Sequence, residues 1–332
     1  MTRPPLSALE LATVNVDQTT AEALADSIEV ARVAEELGFR RLWVAEHHNM
    51  GSVGSTNPPV LIAAIAALTE RIRVGSGGVM LPNHAPYVVA EQFAMLEALY
   101  PNRIDLGLGR APGTDQFTAR ALRRTGHDDV EQFPQHVLQL MSWLGDNRLT
   151  EPLSERLSVT PKAVTYPEIW LLGSSGYAAQ LAGVLGLPYC YAHHFGTLDP
   201  AAVMNLYRES FEASPVLDEP HAMVCTSALS ADTGEEAEFL AGPSRMMALE
   251  LRSGNPRRVV SPEVAAERGF TDVELEQLKL LPAVKYVGTH EEVLGDLDAL
   301  IAATGVQELM LTGSTYGAAP KIATYRALAE RW

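Results

Sequence analysis

The segment Leu42-Trp43-Val44-Ala45-Glu46-His47-His48 ends a strand-like run on a carboxylate and two adjacent imidazoles. A strand interior normally closes on Gly, Asn or Asp, whereas this one closes on groups that titrate or hydrogen-bond near neutral pH. His47 is the first candidate for acid–base work, with Glu46 and His48 beside it. The alternatives are a metal-free structural pair or an exposed loop. No His-x-x-x-His pattern or third ligand at fixed spacing accompanies the pair, so zinc is weakly supported and no metal is expected.

Three further segments carry residue types suited to binding. In Gly75-Ser76-Gly77-Gly78, followed by Val79-Met80-Leu81-Pro82-Asn83-His84, glycines inside a strand mark a bulge or a place where a flat ligand lies on the backbone. A barrel corner is the plainer reading. In Leu106-Gly107-Leu108-Gly109-Arg110-Ala111-Pro112-Gly113-Thr114 the alternate glycines clear one face, and Arg110 offers a fixed fork for phosphate or, more plainly, a surface ion pair. In Leu172-Gly173-Ser174-Ser175-Gly176-Tyr177, small hydroxyl residues open a helix whose free amides and dipole favour an anion. Ser174 or Ser175 as an ordinary N-cap serves equally well when read alone. Together with Arg110 from the neighbouring strand, a phosphate site becomes the better reading.

The elements that must position these groups alternate along the whole chain. Strands are expected at 9–14, 41–46, 72–79, 103–108, 168–172, 188–192, 222–229 and 307–311, with helices between them. Thr19-Thr20-Ala21-Glu22 and Thr289-His290-Glu291-Glu292 are capping boxes that start two of the helices, and Gly38 stops the first. Helices are also expected at 59–70, 86–99, 114–124, 129–144, 177–185, 200–213 and 318–331, with a polar hairpin or loop after residue 144. Eight strands too far apart for hairpins argue a parallel sheet with crossover helices, and a closed (β/α)8 TIM barrel is the economical form. An open doubly wound sheet fits less well, because no Gly-x-Gly-x-x-Gly follows the first strand.

The whole of 1–332 reads as a single barrel domain with insertions. The long interval 239–286, after the seventh strand, is one a minimal barrel does not need. It is rich in Gly and Pro, and reads as a loop serving as a lid over the strand C-terminal face.

The 332 residues, 47% hydrophobic and 20% charged, suffice for one large core. With 41 acidic against 25 basic residues and a net charge of −16, nucleic acid and anionic membrane surfaces are unsuitable partners. Cys190 and Cys225 form no framework spacing, which suits a reducing compartment. The first 14 residues lack a secretory pattern, and the longest apolar run, 58–68, is shorter than the roughly 20 residues of a membrane span. A soluble cytoplasmic protein is expected.

Glu46-His47-His48, Gly77-Gly78-Val79-Met80-Leu81-Pro82, the segment 102–110, Gly173-Ser174-Ser175, Tyr191-Ala192-His193-His194-Phe195 and Val287-Gly288-Thr289 occur in an order and spacing that resembles the bacterial-luciferase-like flavin monooxygenase superfamily over nearly the whole chain. No one of these motifs is specific alone; the first five in register are, and Val287-Gly288-Thr289 adds to them. The resemblance implies a barrel that binds reduced FMN, delivered by a separate flavin reductase, and reacts it with O2 through a C4a-peroxyflavin to oxygenate a small organic substrate.

It also implies that Arg110 with Ser174, Ser175, Gly176 and Tyr177 holds the phosphate, and that a non-proline cis peptide at Gly77-Gly78 lies beneath the flavin ring. Gly109, Gly173 and Ala192 complete the cofactor contacts, His47 is the catalytic imidazole, and Glu46, His48, His84 and His193 shape the substrate pocket. The luciferases proper carry a reactive Cys where this chain has Gly109, and an aromatic where it has His193. The single-chain monooxygenase branch therefore fits better than light emission. The alternatives are an F420-dependent dehydrogenase or reductase of the same superfamily, a flavin-binding protein without turnover, and a metal-dependent barrel hydrolase.

A homodimer is expected from the resemblance. The helix 59–70 is apolar all round, which suits burial on both sides, and it and the helix 86–99 are the expected contact.

Overall fold

The computed structural model describes residues 2–111, 113–122, 130–146, 148, 156–254 and 256–332. In chain order its strands are β1 (Leu6–Glu10), β2 (Arg41–Val44), β3 (Arg73–Met80), β4 (Ile104–Gly109), β5 (Glu168–Gly173), β6 (Tyr189–Ala192), β7 (Ala222–Ala231), β8 (Tyr286–Thr289) and β9 (Glu308–Thr312). Neighbours pair in the order β6-β5-β4-β3-β2-β1-β9-β7, and β6 also pairs with β7, which closes eight strands into a cylinder. Every strand pair is parallel. With helices covering its outside, this is the (β/α)8 TIM barrel expected from the strand count.

The described helices are α1 (Thr20–Glu36), α2 (Pro58–Ala66), α3 (Pro86–Leu99), α4 (Gln116–Leu122), α5 (Phe133–Trp143), α6 (Gly176–Val184), α7 (Pro200–Glu209), α8 (Gly234–Arg252), α9 (Pro262–Arg268), α10 (Asp272–Leu278), α11 (His290–Thr304) and α12 (Ala319–Ala329). Local chemistry sets their ends. The Thr19 hydroxyl accepts from the Glu22 amide at 3.2 Å while the Glu22 carboxylate accepts from the Thr19 amide at 2.7 Å. Thr289 and Glu292 repeat the exchange at α11, as expected.

Outward-facing strand residues such as Leu42, Val44, Leu106 and Leu108 pack beneath Ile62, Ile65 and Phe93 of the helices. Inside the cylinder a second cluster, including Leu9, Trp43, Trp170, Cys190, Met223, Cys225 and Met310, fills the lumen. The N-terminal mouth is closed by charge. Arg41, fully buried, pairs with Asp105 at 2.7 Å, Glu308 at 2.8 Å and Glu168 at 3.3 Å, and Arg73 also reaches Asp105 and Glu168. Burial opposes the Arg41 charge, but the three carboxylates outweigh it and raise its pKa above the ordinary value.

Several expectations need correction. The first strand was expected at 9–14 and lies at Leu6–Glu10. The amides of Leu11 and Ala12 donate to the Glu10 carboxylate at 3.1 and 2.8 Å, so the chain turns out of the sheet there, and Ala12 takes a left-handed φ of 52°. The interval 239–286 is not a loop. It holds most of α8 and all of α9 and α10, with Pro262 in the first turn of α9 and Gly269 ending it; Pro243 sits buried inside α8. Its Gly and Pro residues punctuate helices.

Strand β8 was not anticipated as a strand. It adds to the barrel only at the far end of β7, where Ala228–Ala231 run beside Tyr286–Thr289. The helix expected at 114–124 is Gln116–Leu122, with Arg123 and Arg124 outside the described residues, and that expected at 129–144 is Phe133–Trp143, with Asp129 likewise outside. Much of the hairpin or loop expected after 144 also falls outside them. The helix expected at 200–213 ends at Glu209.

Arg41→Met removes the one cation that all three carboxylates share and leaves buried charge uncompensated. A loss of about 3–5 kcal/mol is expected, read as a lower urea midpoint in equilibrium unfolding.

Candidate active site

A cavity of about 440 Å³ opens at the C-terminal end of the barrel. Barrel enzymes place their chemistry at this face, because the βα loops converge there. The cavity bottoms on lumen side chains, among them Trp43, Cys190, Cys225 and Met310. Strand ends build the walls: Glu46 and His47 after β2, Gly77 and Met80 in β3, Gly109 and Arg110 around the end of β4, Gly173 and Ser174 around the end of β5, and Ala192 and His194 around the end of β6. Ser244, Met247, Ala248 and Leu251 of α8, with Pro282, Ala283 and Val284, line it from the insertion.

Glu46 is wholly buried and its oxygens are taken up by the protein. One accepts from His48 Nε2 and His84 Nε2, each at 2.8 Å, and from Asn83 Nδ2 at 3.4 Å; the other accepts from the Met80 amide at 3.0 Å. Burial works against its ionisation, yet the hydrogen bonds from His48 and His84 prevail and hold its pKa down at about 2. Glu46 therefore ties the ends of β2 and β3 together. His48 and His84, expected to shape the substrate pocket, are instead bound to this carboxylate and are not among the cavity-lining residues.

His47 does line the cavity. Burial lowers its pKa, against a hydrogen bond to the Gly113 backbone and the Glu46 charge. It is a neutral imidazole at pH 7, able to accept a proton. Gly113 approaches closely here: its φ is 64°, and a Cβ would stand 2.7 Å from the Glu46 carbonyl.

The glycines of β3 behave as expected of a bulge. The register to β4 shifts between Gly77 and Val79, and the Gly77–Gly78 peptide is cis. A Cβ on Gly78 would meet the Gly107 carbonyl at 2.7 Å, so only glycine fits. Gly77 faces the cavity; Gly78 is not among the lining residues.

At the rim, the Arg110 guanidinium lies 4.3 Å over the Tyr177 ring. Ser175 is the N-cap of α6 in extended conformation, and its side chain makes no capping bond. The first-turn amides of α6 thus have no hydroxyl cap to satisfy them, beside a cation and the cavity-lining Ser174. The structure brings Arg110, Gly173, Ser174, Ser175, Gly176 and Tyr177 to one edge, which is a donor set for an anion.

His193 is a correction. It stands outside the cavity lining, its ring 6.0 Å from that of Tyr191 and 6.4 Å from that of Tyr286. The neighbouring His194 lines the cavity instead. Sequence reasoning also missed Cys190, Cys225 and Met310. Their signal was the period of two: Cys190 and Ala192 share a face of β6, as do Cys225 and Ser227 of β7, and that face is the lumen. Among the described residues no group of three or more His, Cys, Asp or Glu could hold a metal ion.

Fold and cavity together define a TIM barrel with a cavity at its C-terminal face and a cation at its rim. The class becomes specific on comparison: the family described as luciferase-like monooxygenase matches residues 7–329, and the chain belongs to that family of flavin-dependent monooxygenases. A luciferase-like monooxygenase of Escherichia coli (strain K12) is 40% identical over 310 residues, 93% of this chain and 91% of that protein. The crystal structure of apo-MsnO8 superposes with a TM-score of 0.90 at 34% identity, covering 99% of this chain and 98% of that one. The oxygenating constituent of 3,6-diketocamphane monooxygenase from Pseudomonas putida, a type II Baeyer–Villiger monooxygenase in complex with FMN, shares the fold at TM-score 0.73 and 18% identity, covering 99% of this chain and 98% of that one.

The Glu46 pKa is depressed from 4.5 to about 2, so its ionisation stabilises the fold fully above about pH 5 and that contribution drains away as pH falls through 4.5 towards 2. Glu46→Gln should lose stability at pH 7, on the order of 3 kcal/mol, and flatten the acid limb. Thermal midpoints of both proteins between pH 3 and 7 check this; parallel acid limbs would contradict it.

Proposed function

We propose that the protein is an FMN-dependent monooxygenase that oxygenates a small organic molecule, using reduced FMN made by a separate cytoplasmic flavin reductase. The observation that carries this reading is the meeting of Arg110, Tyr177, Ser174 and the uncapped start of α6 at the edge of an apolar cavity whose wall holds a neutral His47. The donor set suits a phosphate, and the volume falls within the roughly 300–1,000 Å³ of small-molecule sites. Bound reduced FMN would supply the electrons that activate O2.

The protein's own residues do the rest. Arg110 and the α6 amides grip the phosphate. Gly77, Gly109 and Gly173 present little side chain and leave room for a ring system. His47, lining the cavity with its pKa lowered by burial, takes or returns a proton at an imidazole nitrogen. Trp43, Met80 and Met310 exclude water, which oxygen chemistry on a reduced flavin requires. Within the single barrel domain, segment 239–286 serves as the lid, a reading supported by the residues of α8 and 282–284 that line the cavity.

The test is O2 uptake with enzymatically reduced FMN, set against hydride transfer with F420. Uptake with FMN is expected; turnover with F420 alone would replace the reading. Arg110→Ala should weaken FMN binding about 10- to 100-fold by titration calorimetry. His47→Ala should keep FMN affinity and lose about 10²–10⁴ in turnover. Unchanged behaviour of both variants would remove the site assignment.

We infer further that the protein forms a homodimer through α2 and α3. Val60 of α2 is 67% exposed and Leu99 of α3 is 60% exposed, and Val88 and Met95 of α3 are exposed as well. Apolar side chains so uncovered on adjacent helices favour a self-complementary contact. Sedimentation should give twice the chain mass of 35.9 kDa, and Val60→Asp with Leu99→Asp should halve it. A wild-type monomer at micromolar concentration would overturn the inference.

A further inference from the structure

We propose that His194 is a second residue that touches substrate: its Nε2 accepts a hydrogen bond from a hydroxyl or N–H group on an otherwise apolar small molecule. This rests on the reading of the cavity as the chamber shared by flavin and substrate, and it names the substrate class.

Position comes first. Around the closed barrel β2 and β6 are four strands apart in either direction, so His47 and His194 rise from opposite sides and line one cavity. The tautomer follows from the hydrogen bonds. His194 Nδ1 lies 3.2 Å from the Cys225 carbonyl oxygen. A carbonyl only accepts, so Nδ1 carries the proton and Nε2 keeps its lone pair. The His194 amide donates to the same carbonyl at 3.0 Å, and the Phe195 ring stands edge-on at 4.6 Å, which together fix the imidazole.

Charge state agrees with this. Burial, helped by His47, His193 and Lys285 nearby, pushes the His194 pKa down to about 4 against the pull of the Cys225 carbonyl. The ring is neutral at pH 7. Among the described residues Nε2 has no protein partner.

Three other polar side chains of the cavity each make a hydrogen bond within the protein. The Ser227 hydroxyl accepts from the Lys285 amide at 3.0 Å, the Ser244 hydroxyl accepts from the Val284 amide at 3.2 Å, and the Thr312 hydroxyl donates to the Leu9 carbonyl at 3.0 Å. His194, with its Nε2 an acceptor, lines the same cavity as Cys190, Cys225 and Met310. A molecule that fits those surfaces but lacks a donor leaves that nitrogen unpaired, and sites built this way discriminate against such analogues.

The probe pair is phenol and anisole, which share a ring and differ in the donor. Their binding to FMN-loaded enzyme is measured by titration calorimetry for wild type, His194→Phe and His194→Gln. Wild type should prefer phenol by about tenfold or more. His194→Phe should lose that preference while still binding anisole, and His194→Gln, which retains an acceptor, should keep part of it. No phenol preference in wild type, or one that survives His194→Phe, overturns the inference. Failure of FMN to bind wild type would instead strike the functional reading, and the same pair titrated into flavin-free protein would still report on His194.

Discussion

A carboxylate with no solvent exposure must be met by donors on all sides or give up its charge. Glu46 is met by His48, His84, Asn83 and the Met80 amide, and the consequences spread through the site. The ends of β2 and β3 are locked to each other. His48 is drawn back onto Glu46, which leaves its neighbour His47 on the cavity. Met80, whose amide is held, sets the last residue of the glycine-bearing strand against the chamber. His47, proposed as the proton-transfer group, and the glycine-bearing backbone proposed to lie beneath the ring are thus positioned by one buried anion.

The barrel separates charge from chemistry along its axis. Arg41, Arg73, Asp105, Glu168 and Glu308 gather at the N-terminal mouth. Trp43 and Trp170, their rings 5.3 Å apart and at 75°, form the partition above them. Trp43 serves both sides: its indole N–H donates to Asp105 at 2.9 Å while the ring lines the cavity. Above the partition the lumen is lined by Met310 and two thiols whose pKa values burial raises, so they stay protonated and behave as small apolar groups. Imidazoles placed in such surroundings lose their charge, and a neutral imidazole is the form that can take up a proton.

Much of this was legible in the sequence where local rules act. The alternation of strand-like and helix-like segments marked the barrel, Thr19 and Thr289 marked helix starts, and strand-end Glu46, His47 and Arg110 pointed to the C-terminal face, where all three line the cavity. What escaped notice depended on distant partners. The end of β1 is set by amides bonding to the Glu10 carboxylate, which also pairs with Lys321 at 2.7 Å, and nothing in 6–14 announces that partner. His193 and His194 are adjacent and chemically identical on the page; only the Cys225 carbonyl of β7 decides which one is oriented on the cavity. The insertion misled because its Gly and Pro residues, read as loop signals, instead bound or interrupt helices.

The placement of Arg110 follows from the same economy of charge. Arg110 lies outside the dry interior, exposed and stacked on Tyr177, where an anion can be gripped without carrying either charge into the lumen. Had the cation pointed inward, it would have needed a buried counter-ion next to His47 and His194, and their proton affinities would have been set by that pair instead of by desolvation. A cation at the rim and neutral bases inside would let the proposed cofactor's charged tail bind while water stays out of the place where oxygen would react.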